Sequence, residues 1–212
     1  EACAILAGPY TVTHHKSTLL IGGMFSFMNA GSGTNQSNHA YKLGPRHHGV
    51  LERGCKTASG SHISWPAHIG AFSLVMGHCA PGTDSSEWPF SYLVEQGSSH
   101  YVIPGITLRG VGTLRDIGKW PARDGRLPQV PQTDRVSFEA FSPYTMGRVF
   151  RARITLEELS GRFDADTQEI TWNGLRLKEK SVKQGIEWYR LALDRYLGEQ
   201  LIRQLEAHEG MP

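Results

Sequence analysis

The chain has 212 residues, of which 39% are hydrophobic and 20% are charged. This length and composition fit one large domain, or a domain with a substantial appendage, and exclude a disordered chain. The 22 basic and 20 acidic residues leave a net charge of +2, which excludes a general electrostatic footprint for nucleic acid or membrane. No apolar run approaches the ~20 residues that a membrane-spanning helix needs.

Charge is unevenly distributed along the chain. Residues 1–104 hold 5 basic and 5 acidic residues together with nine of the ten histidines, whereas residues 105–212 hold all the other charged residues. The chain therefore joins two compositions in series. Its start at Glu1, without an initiator Met or a basic leader, predicts a segment of a longer or trimmed chain.

The three cysteines are widely spaced and form no CxxC pair. This usage predicts free thiols in a reducing compartment, and hence a cytoplasmic protein. They are Cys3, Cys55 and Cys79.

A six-residue repeat runs through the first half. Its first position is aliphatic or Thr, and its fifth is Cys, Ser or Ala. Between Leu51 and Cys79 the first positions are Leu51, Thr57, Ile63, Ile69 and Val75, and the fifth are Cys55, Ser61, Ala67, Ser73 and Cys79. Neither a helical period nor simple alternation gives this pattern. A coil of three short strands, with one hexad per strand and 18 residues per turn, gives this pattern. The first position of each hexad then points inward, and a small fifth residue lies at each corner.

The repeat therefore predicts a left-handed parallel β-helix, closed by a capping loop and strands, over residues 1–104. A β-sandwich with Gly/Ser-rich loops is the alternative. The hexads that begin at His39 and Pro45 fit poorly, which indicates an interrupting loop. If the phase holds through residue 44, Asn29, His47 and Trp65 form one outward column.

Three stretches carry a resemblance to known proteins. They are GPRHHGVLERGC (44–55), IGAFSLVMG (69–77) and YLGEQ (196–200). The hexads resemble the hexapeptide-repeat superfamily of acyltransferases, γ-class carbonic anhydrases and sugar nucleotidyltransferase tails. More narrowly, the three stretches resemble the C-terminal part of an uncharacterised bacterial family of long hexapeptide-repeat proteins. That resemblance implies the β-helix and carries no activity.

The second half predicts different elements. Short strands at 92–94 and 101–103 precede a basic, Gly/Pro-rich strap at 105–135, expected to be extended. Residues 136–212 are predicted to be mostly helical. They comprise a helix from about 143 to Gly161 capped by Ser142, a hairpin at 170–177 around Asn173-Gly174, and one amphipathic helix from Lys180 to about Ala207. A capping box at Thr155 is an alternative start for the first of these helices.

Histidines are the candidate catalytic groups. The repeat gathers His47, His48 and His68 on one face, where Arg46 and Trp65 are possible substrate contacts. No carboxylate stands out beside them in the sequence. An imidazole with its ordinary pKa near ~6.5 suits a general base that deprotonates a sugar hydroxyl or amine. Two alternatives stay open: a metal site like that of the γ-class carbonic anhydrases, and purely structural histidines.

The strap supplies a second candidate component, a set of cations able to clamp the phosphate of a nucleotide sugar or acyl carrier. These residues are Arg109, Arg115, Lys119, Arg123 and Arg126. No Walker loop, GxGxxG or GxSxG motif accompanies them, so the usual phosphate-binding and acyl-enzyme signatures are absent and the sequence names no particular cofactor.

Together these features predict a transferase that acts on a sugar or nucleotide sugar, with His47, His48 or His68 as general base. A non-catalytic scaffold assembled through the C-terminal helix, and a metal-dependent lyase or hydrolase, are the alternatives. Flat coil faces favour side-by-side packing, so we expect a homo-oligomer, a trimer in the first instance.

Overall fold

The computed structural model of the chain describes residues 1–37, 39–40, 44–45, 48–126, 129–131 and 133–209. The protein is mainly β, with parallel sheets in its first half and a long helix at its C-terminal end. Within these ranges, every helix is too short or too polar to cross a lipid bilayer.

Short strands occupy the first half of the chain. In chain order they are β1 (Ala2–Cys3), β2 (Leu6–Ala7), β3 (Val12–Thr13), β4 (Leu20–Ile21), β5 (Gly23–Phe25), β6 (Asn29–Ala30), β7 (Asn35–Ser37), β8 (His39–Ala40), β9 (Gly44–Pro45), β10 (Gly49–Leu51), β11 (Lys56–Thr57), β12 (His62–Ser64), β13 (Ala67–Ile69), β14 (Leu74–Met76), β15 (His78–Cys79), β16 (Thr83–Asp84), β17 (Tyr92–Gln96) and β18 (Ser99–Ile103).

These strands stack into three parallel faces, each of which takes one strand from each coil. The first face holds β1, β4, β7, β12 and β15, with β4 and β7 linked by a bridge between Leu19 and Asn35. The second face holds β2, β5, β10, β13 and β16. The third begins with β3, β6, β11, β14 and β17. The arrangement is β-helix-like, as the sequence predicts.

The six-residue repeat sets both the register and the interior. Val50 pairs with His68, 18 positions along, and Lys56 pairs with Leu74 at the same interval. Every first-position and fifth-position residue of the hexads between Leu51 and Cys79 is buried. The alternation of inward and outward side chains therefore follows the hexads.

One coil carries an insertion. Asn29 pairs with Lys56, 27 positions along instead of 18. The extra residues contain the antiparallel pair β8–β9, which joins His39 to Pro45. The predicted interruption is confirmed, and the predicted outward column is wrong because the insertion shifts the phase after Asn29.

Aromatic rings line the edge between the second and third faces. Tyr10, Phe27, Phe72 and Phe90 occupy this edge, each with a φ between 51° and 59°. Tyr10 stacks on Phe27 with ring centroids 5.1 Å apart, and Phe72 stacks on Phe90 at 4.9 Å. The register places Gly54 at the equivalent point of the coil between these two pairs. We call this column the aromatic edge.

Gly54 leaves room on that edge for a cation from the preceding residue. A Cβ at Gly54 would lie 2.3 Å from the Phe72 ring. Instead, the Arg53 guanidinium lies 4.5 Å from the Phe27 ring centroid and 5.9 Å from that of Phe72. The Arg53 guanidinium thus fills the place of the ring that this coil lacks, between Phe27 and Phe72.

The second half packs outside the coil, against the aromatic edge. Its elements are a short 3-10 helix (Ile106–Leu108), α1 (Val111–Ala122), α2 (Pro143–Ser160), β19 (Glu169–Trp172), β20 (Leu175–Lys178) and α3 (Glu179–Glu209). β17 and β18 pair antiparallel, and β20 pairs parallel with β18 at Tyr101 and Arg176, so the hairpin extends the third face. The coil interior and this outer region form two separate hydrophobic clusters.

Most predicted elements of this half are confirmed. Ser142 caps α2 by accepting a hydrogen bond from the Thr145 backbone N–H at 3.3 Å. The β19–β20 hairpin turns at Asn173 and Gly174, which have φ values of 47° and 78°. The long helix α3 spans the predicted range and extends slightly beyond it at both ends.

The extended strap is wrong for residues 111–122, which form α1. Gly112, Gly118 and Pro121 gave this stretch the composition of a loop. Trp120, 9% exposed, nevertheless packs edge-on against Phe27 with ring centroids 4.5 Å apart. Tertiary contact with the aromatic edge therefore outweighs weak helix propensity.

Candidate functional site

A cleft of about 540 Å³ opens on the outer surface of the second face. Its floor is a column of outward aliphatic side chains, Leu6, Met24 and Val50, paired from coil to coil. Leu6 is 66% exposed and Met24 is 42% exposed. His68 comes next in the column, followed by Asp84. The cleft thus has an apolar floor that ends at an imidazole, and we call it the His68 cleft.

A carboxylate anchors that imidazole. Glu52 follows β10 directly, and its Oε1 lies 2.8 Å from Nε2 of His68. The same oxygen accepts a hydrogen bond from the Tyr144 hydroxyl at 3.3 Å and pairs with Nη1 of Arg148 at 3.2 Å. The Glu52 side chain is only 10% exposed and that of Arg148 only 13%. Three groups therefore converge on one largely buried carboxylate.

The first turns of α2 form the wall of the cleft. Tyr144 and Arg148 are four residues apart, so they lie on the same side of the helix. The Arg148 guanidinium is 4.8 Å from the Tyr144 ring centroid, and it also donates a hydrogen bond to the Ser86 carbonyl oxygen. Because Ser142 and Pro143 fix where α2 begins, they also fix these two side chains.

The charges around the cleft tune its titratable groups. The hydrogen bond that His68 donates to the Glu52 carboxylate raises the pKa of His68, assisted by the negative charge of Asp84 and opposed by burial and by Arg148. Burial raises the pKa of the Tyr144 hydroxyl, and Glu52 adds to this effect. Tyr144 therefore stays a neutral hydrogen-bond donor near neutral pH.

This geometry equips His68 to exchange a proton. When neutral, the ring donates Nε2–H to Glu52, and Nδ1 then carries the free lone pair. Within the described part of the chain, the side-chain hydrogen bond of His68 uses Nε2 and leaves Nδ1 open. A base that is held by a carboxylate through one nitrogen and is open at the other is the arrangement general-base catalysis uses.

The other histidine-cluster predictions have different outcomes. His48 lies exposed just before β10. Trp65 is 2% exposed, and its Nε1–H donates to the Ile21 carbonyl oxygen at 2.5 Å. Its ring fills the space beside Gly49, where a Cβ would lie 2.2 Å from it. Trp65 therefore belongs to the coil interior, not to an outward column. Arg46 and His47 lie outside the described residues.

The predicted phosphate clamp does not gather in one place. Lys119 and Arg123 line a small pocket on the third face, together with the ion-paired Lys56 and Asp116. Arg115 also pairs with Asp116, at 3.5 Å. The fourth cation, Arg109, borders a separate groove next to α3. Arg126 pairs with Asp124 and Asp134, and none of the five cations lines the His68 cleft.

Sequence reasoning missed three residues of the cleft, namely Glu52, Tyr144 and Arg148. The expectation that no carboxylate stands near the histidines is wrong, because the 18-residue coil brings Glu52 back beside His68. The hexad register contained that signal. No periodicity connects residue 52 with residues 144 and 148.

A second group of histidines lies across the first and third faces. His62 and His78 are neighbours in register on the first face, with ring centroids 5.4 Å apart. His100 lies 5.6 Å from His78, whose Nε2 is hydrogen-bonded to the Ser64 hydroxyl at 3.0 Å. Burial and the charge of His78 lower the pKa of His62. Across the described ranges, no group of three or more His, Cys, Asp or Glu side chains is arranged to hold a metal ion.

Comparison with protein families gives one match. A family model described as "Domain of unknown function (DUF4954)" matches residues 1–160. That range contains the coil, α1 and α2, and hence every residue named above for the His68 cleft. No curated protein matches the chain.

Proposed function

We propose that this chain, which belongs to the DUF4954 family, is a transferase. It would move an acyl group to a hydroxyl or amine of a sugar or nucleotide sugar. The observation that carries the proposal is the Glu52–His68 pair at the end of the apolar floor of the His68 cleft. Of the three histidines predicted as general base, His68 has this support.

The cleft provides for both reactants. Leu6, Met24 and Val50 offer an apolar surface for the carbon chain of an acyl donor. His68 and Tyr144 offer polar groups at the end where an acceptor hydroxyl or amine would approach. This combination of a mostly apolar surface and a few convergent polar groups is typical of small-molecule sites.

The proposed step balances without a cofactor. The acceptor oxygen or nitrogen attacks the carbonyl carbon of a thioester donor while its proton passes to Nδ1 of His68. Collapse of the tetrahedral intermediate breaks the carbon–sulfur bond, and the departing thiolate takes the proton back from His68. Glu52 stabilises the transient imidazolium, which is the form its carboxylate favours.

Three further expectations belong to this proposal. The 18-residue spacing and the three faces support a left-handed coil of the hexapeptide-repeat type. An experimental density map would test this expectation by showing whether the coil is left-handed. Lys119 and Arg123, which share a small pocket, are the strap residues best placed to hold a phosphate. The protein is a cytoplasmic homo-oligomer.

Ligand binding gives the first test. Thermal-shift measurements with acetyl-coenzyme A and a UDP-sugar should raise the Tm, because a ligand that binds only the folded state stabilises it. If neither compound, nor longer-chain acyl-coenzyme A, changes the Tm, the proposal is overturned.

Variant activity gives the second test. Acyl transfer from acetyl-coenzyme A to a panel of amino sugars and nucleotide sugars is followed by mass spectrometry. His68→Ala should reduce the rate about 10²- to 10⁴-fold, which is the usual contribution of a general base. His78→Ala, a histidine outside the cleft, is the matched control and should leave the rate unchanged. Equal rates in the His68→Ala variant and the wild type would overturn the proposed role.

A second candidate function is a scaffold, and the exposed C-terminal part of α3 favours it. Leu197 and Leu201 are 62% and 61% exposed there. The metal-dependent alternative is tested directly by metal analysis of the purified protein, in which one equivalent of bound metal per chain would favour it.

A further inference from the structure

The helix α3 extends well beyond the body that it packs against. Leu193 and Tyr196 still contact the outer hydrophobic cluster. Residues 201–208, in contrast, are all exposed although all are helical. Most of the stability of a helix in a protein comes from packing of its apolar side. Among the described residues, no surface of the chain covers the apolar side of this segment.

The side of this segment that faces the body is its polar side. Arg195, Glu199 and Arg203 line a cavity over the outer region, and Arg203 pairs there with Glu139 at 3.5 Å.

The opposite side is apolar. Leu197, Leu201 and Leu205 recur every four residues, and each is between 56% and 62% exposed. We call these three residues the α3 stripe. A surface helix normally turns its apolar side toward its own core. The reversal here marks the stripe as an interaction surface.

The stripe is complementary to itself when two copies run antiparallel. With Leu201 at the two-fold axis, Leu197 of one copy lies opposite Leu205 of the other. Asp194, which also pairs with Arg190 of its own helix at 2.8 Å, then lies opposite His208, whose imidazole N–H can donate a hydrogen bond to its carboxylate. A parallel arrangement would instead place Asp194 against Asp194, where neither carboxylate meets such a donor.

Backbone geometry also permits close approach of a second helix. Gly198 lies next to the stripe, and a Cβ there would meet nothing within 4 Å. The coil, α1 and α2 all precede this segment, so antiparallel pairing keeps the two bodies at opposite ends of the paired helices.

We propose that two copies of this chain associate through antiparallel pairing of their α3 stripes. The contact is isologous, so it closes on two subunits. The proposal is independent of the proposed transferase function, because no residue of the stripe lines the His68 cleft. Loss of the dimer and loss of transfer are therefore separate results.

Solution mass tests the association. Light scattering on the full chain should give twice the 23.5 kDa of one chain at micromolar concentration. Leu201→Glu with Leu205→Glu should return the monomer mass. The matched control is Phe150→Glu on α2, where the side chain is 49% exposed, and it should remain dimeric. Circular dichroism checks that each variant is folded, and a stably folded dimer of the double variant contradicts the proposal.

Cross-linking tests the direction of the helices. In a Cys3→Ser background, Leu201→Cys should form an inter-chain disulfide with itself on mild oxidation. Leu197→Cys alone should not, because its two copies would be about 12 Å apart at 1.5 Å per residue, beyond disulfide reach. A mixture of Leu197→Cys and Leu205→Cys chains should cross-link. A monomer, a trimer, or self-cross-linking at residue 197 overturns the antiparallel pair.

Discussion

The two hydrophobic cores of this protein are built on different principles. The coil interior consists mostly of aliphatic and small side chains, such as Leu51 and Ile63, which lie in register with residues one coil away, although Phe25 and Trp65 also belong to it. The outer core is made of aromatic and helical residues such as Trp120 and Tyr189, which meet partners far along the chain. Tyr189, for example, donates its hydroxyl proton to the Pro89 carbonyl oxygen at 2.6 Å. In the coil, the repeat predicts which residues are in contact, because they are separated by a fixed number of residues. In the outer core, the contacting residues have no regular spacing, so the sequence does not predict them.

The cores meet at two places. Along the aromatic edge, Phe27 and Phe72 have their backbones in the coil and their rings in the outer core. At the His68 cleft, the coil supplies Glu52 and His68 while α2 supplies Arg148. Substitutions at these junctions and within each core test whether the regions are independent.

The largest expected effect is at the aromatic edge. Phe72→Ala removes a 2%-exposed ring that stacks on Phe90, and it should destabilise the protein by about 3–5 kcal/mol. Urea unfolding measures the loss. Hydrogen exchange should show reduced protection in both the coil and α2, because Phe72 belongs to both regions.

Phe150→Ala, on the exposed side of α2, is the control and should change stability by less than about 0.5 kcal/mol. If Phe72→Ala lowers protection in α2 alone, the edge does not couple the two cores.

The next effect is inside the coil. Leu51 is 0% exposed, and Leu51→Ala should cost about 3 kcal/mol through lost burial and the cavity left behind. Leu6→Ala, on an outward position of the same face, should cost less than about 1 kcal/mol by the same urea measurement. Similar losses at both positions would mean that the hexad does not separate inside from outside.

How far the sequence predicts the fold follows from this contrast. Hexad positions such as Ile63 and Ser73 predicted the coil interior because each face repeats one local environment. The Asn173-Gly174 turn was equally predictable, since its φ values suit few residue types. The helix α1 was not, because its stability comes from Trp120 on the aromatic edge and not from its own composition.

A smaller effect is expected at a polar pair within the coil. The Thr34 and Thr57 hydroxyls lie 2.6 Å apart, and Thr57 Oγ1 also accepts from the Gly31 N–H at 3.0 Å. Thr57→Val removes both hydrogen bonds of its hydroxyl, while Thr34 still donates to the Gly31 carbonyl oxygen and the Gly31 N–H to that of residue 57, so it should cost about 1 kcal/mol.

Thermal or urea unfolding measures that loss, with Thr13→Val at an exposed position as the control. The Thr34→Val, Thr57→Val double variant should lose less than the sum of the singles. Strict additivity would show that the two hydroxyls do not depend on one another.

The candidate site was half predictable for the same reason as the fold. His68 was identified because histidines concentrate in the coil and the hexad directs this one outward. Glu52 was recoverable from the register alone. Tyr144 and Arg148 were not, since their place on the cleft is set by how α2 packs on the coil, between 76 and 96 residues along the chain from His68 and Glu52.

The smallest expected effect is on the pH dependence of stability, through the Glu52–His68 pair at the junction of the coil and α2. Because Glu52 raises the pKa of His68 above its ordinary value near ~6.5, the folded state binds this proton more tightly than the unfolded state. The stabilisation is complete below pH ~6.5 and is lost as pH rises through the raised pKa. The His68 side chain is 38% exposed, so solvent screening keeps the effect small.

Glu52→Gln should lower the pKa of His68, measured by NMR titration, and flatten this pH dependence of Tm, whereas Glu95→Gln should change neither. Asp84 and Arg148, the other charges that face His68, remain in both variants. A wild-type His68 that titrates at or below pH ~6.5 would show that the carboxylate does not control the imidazole.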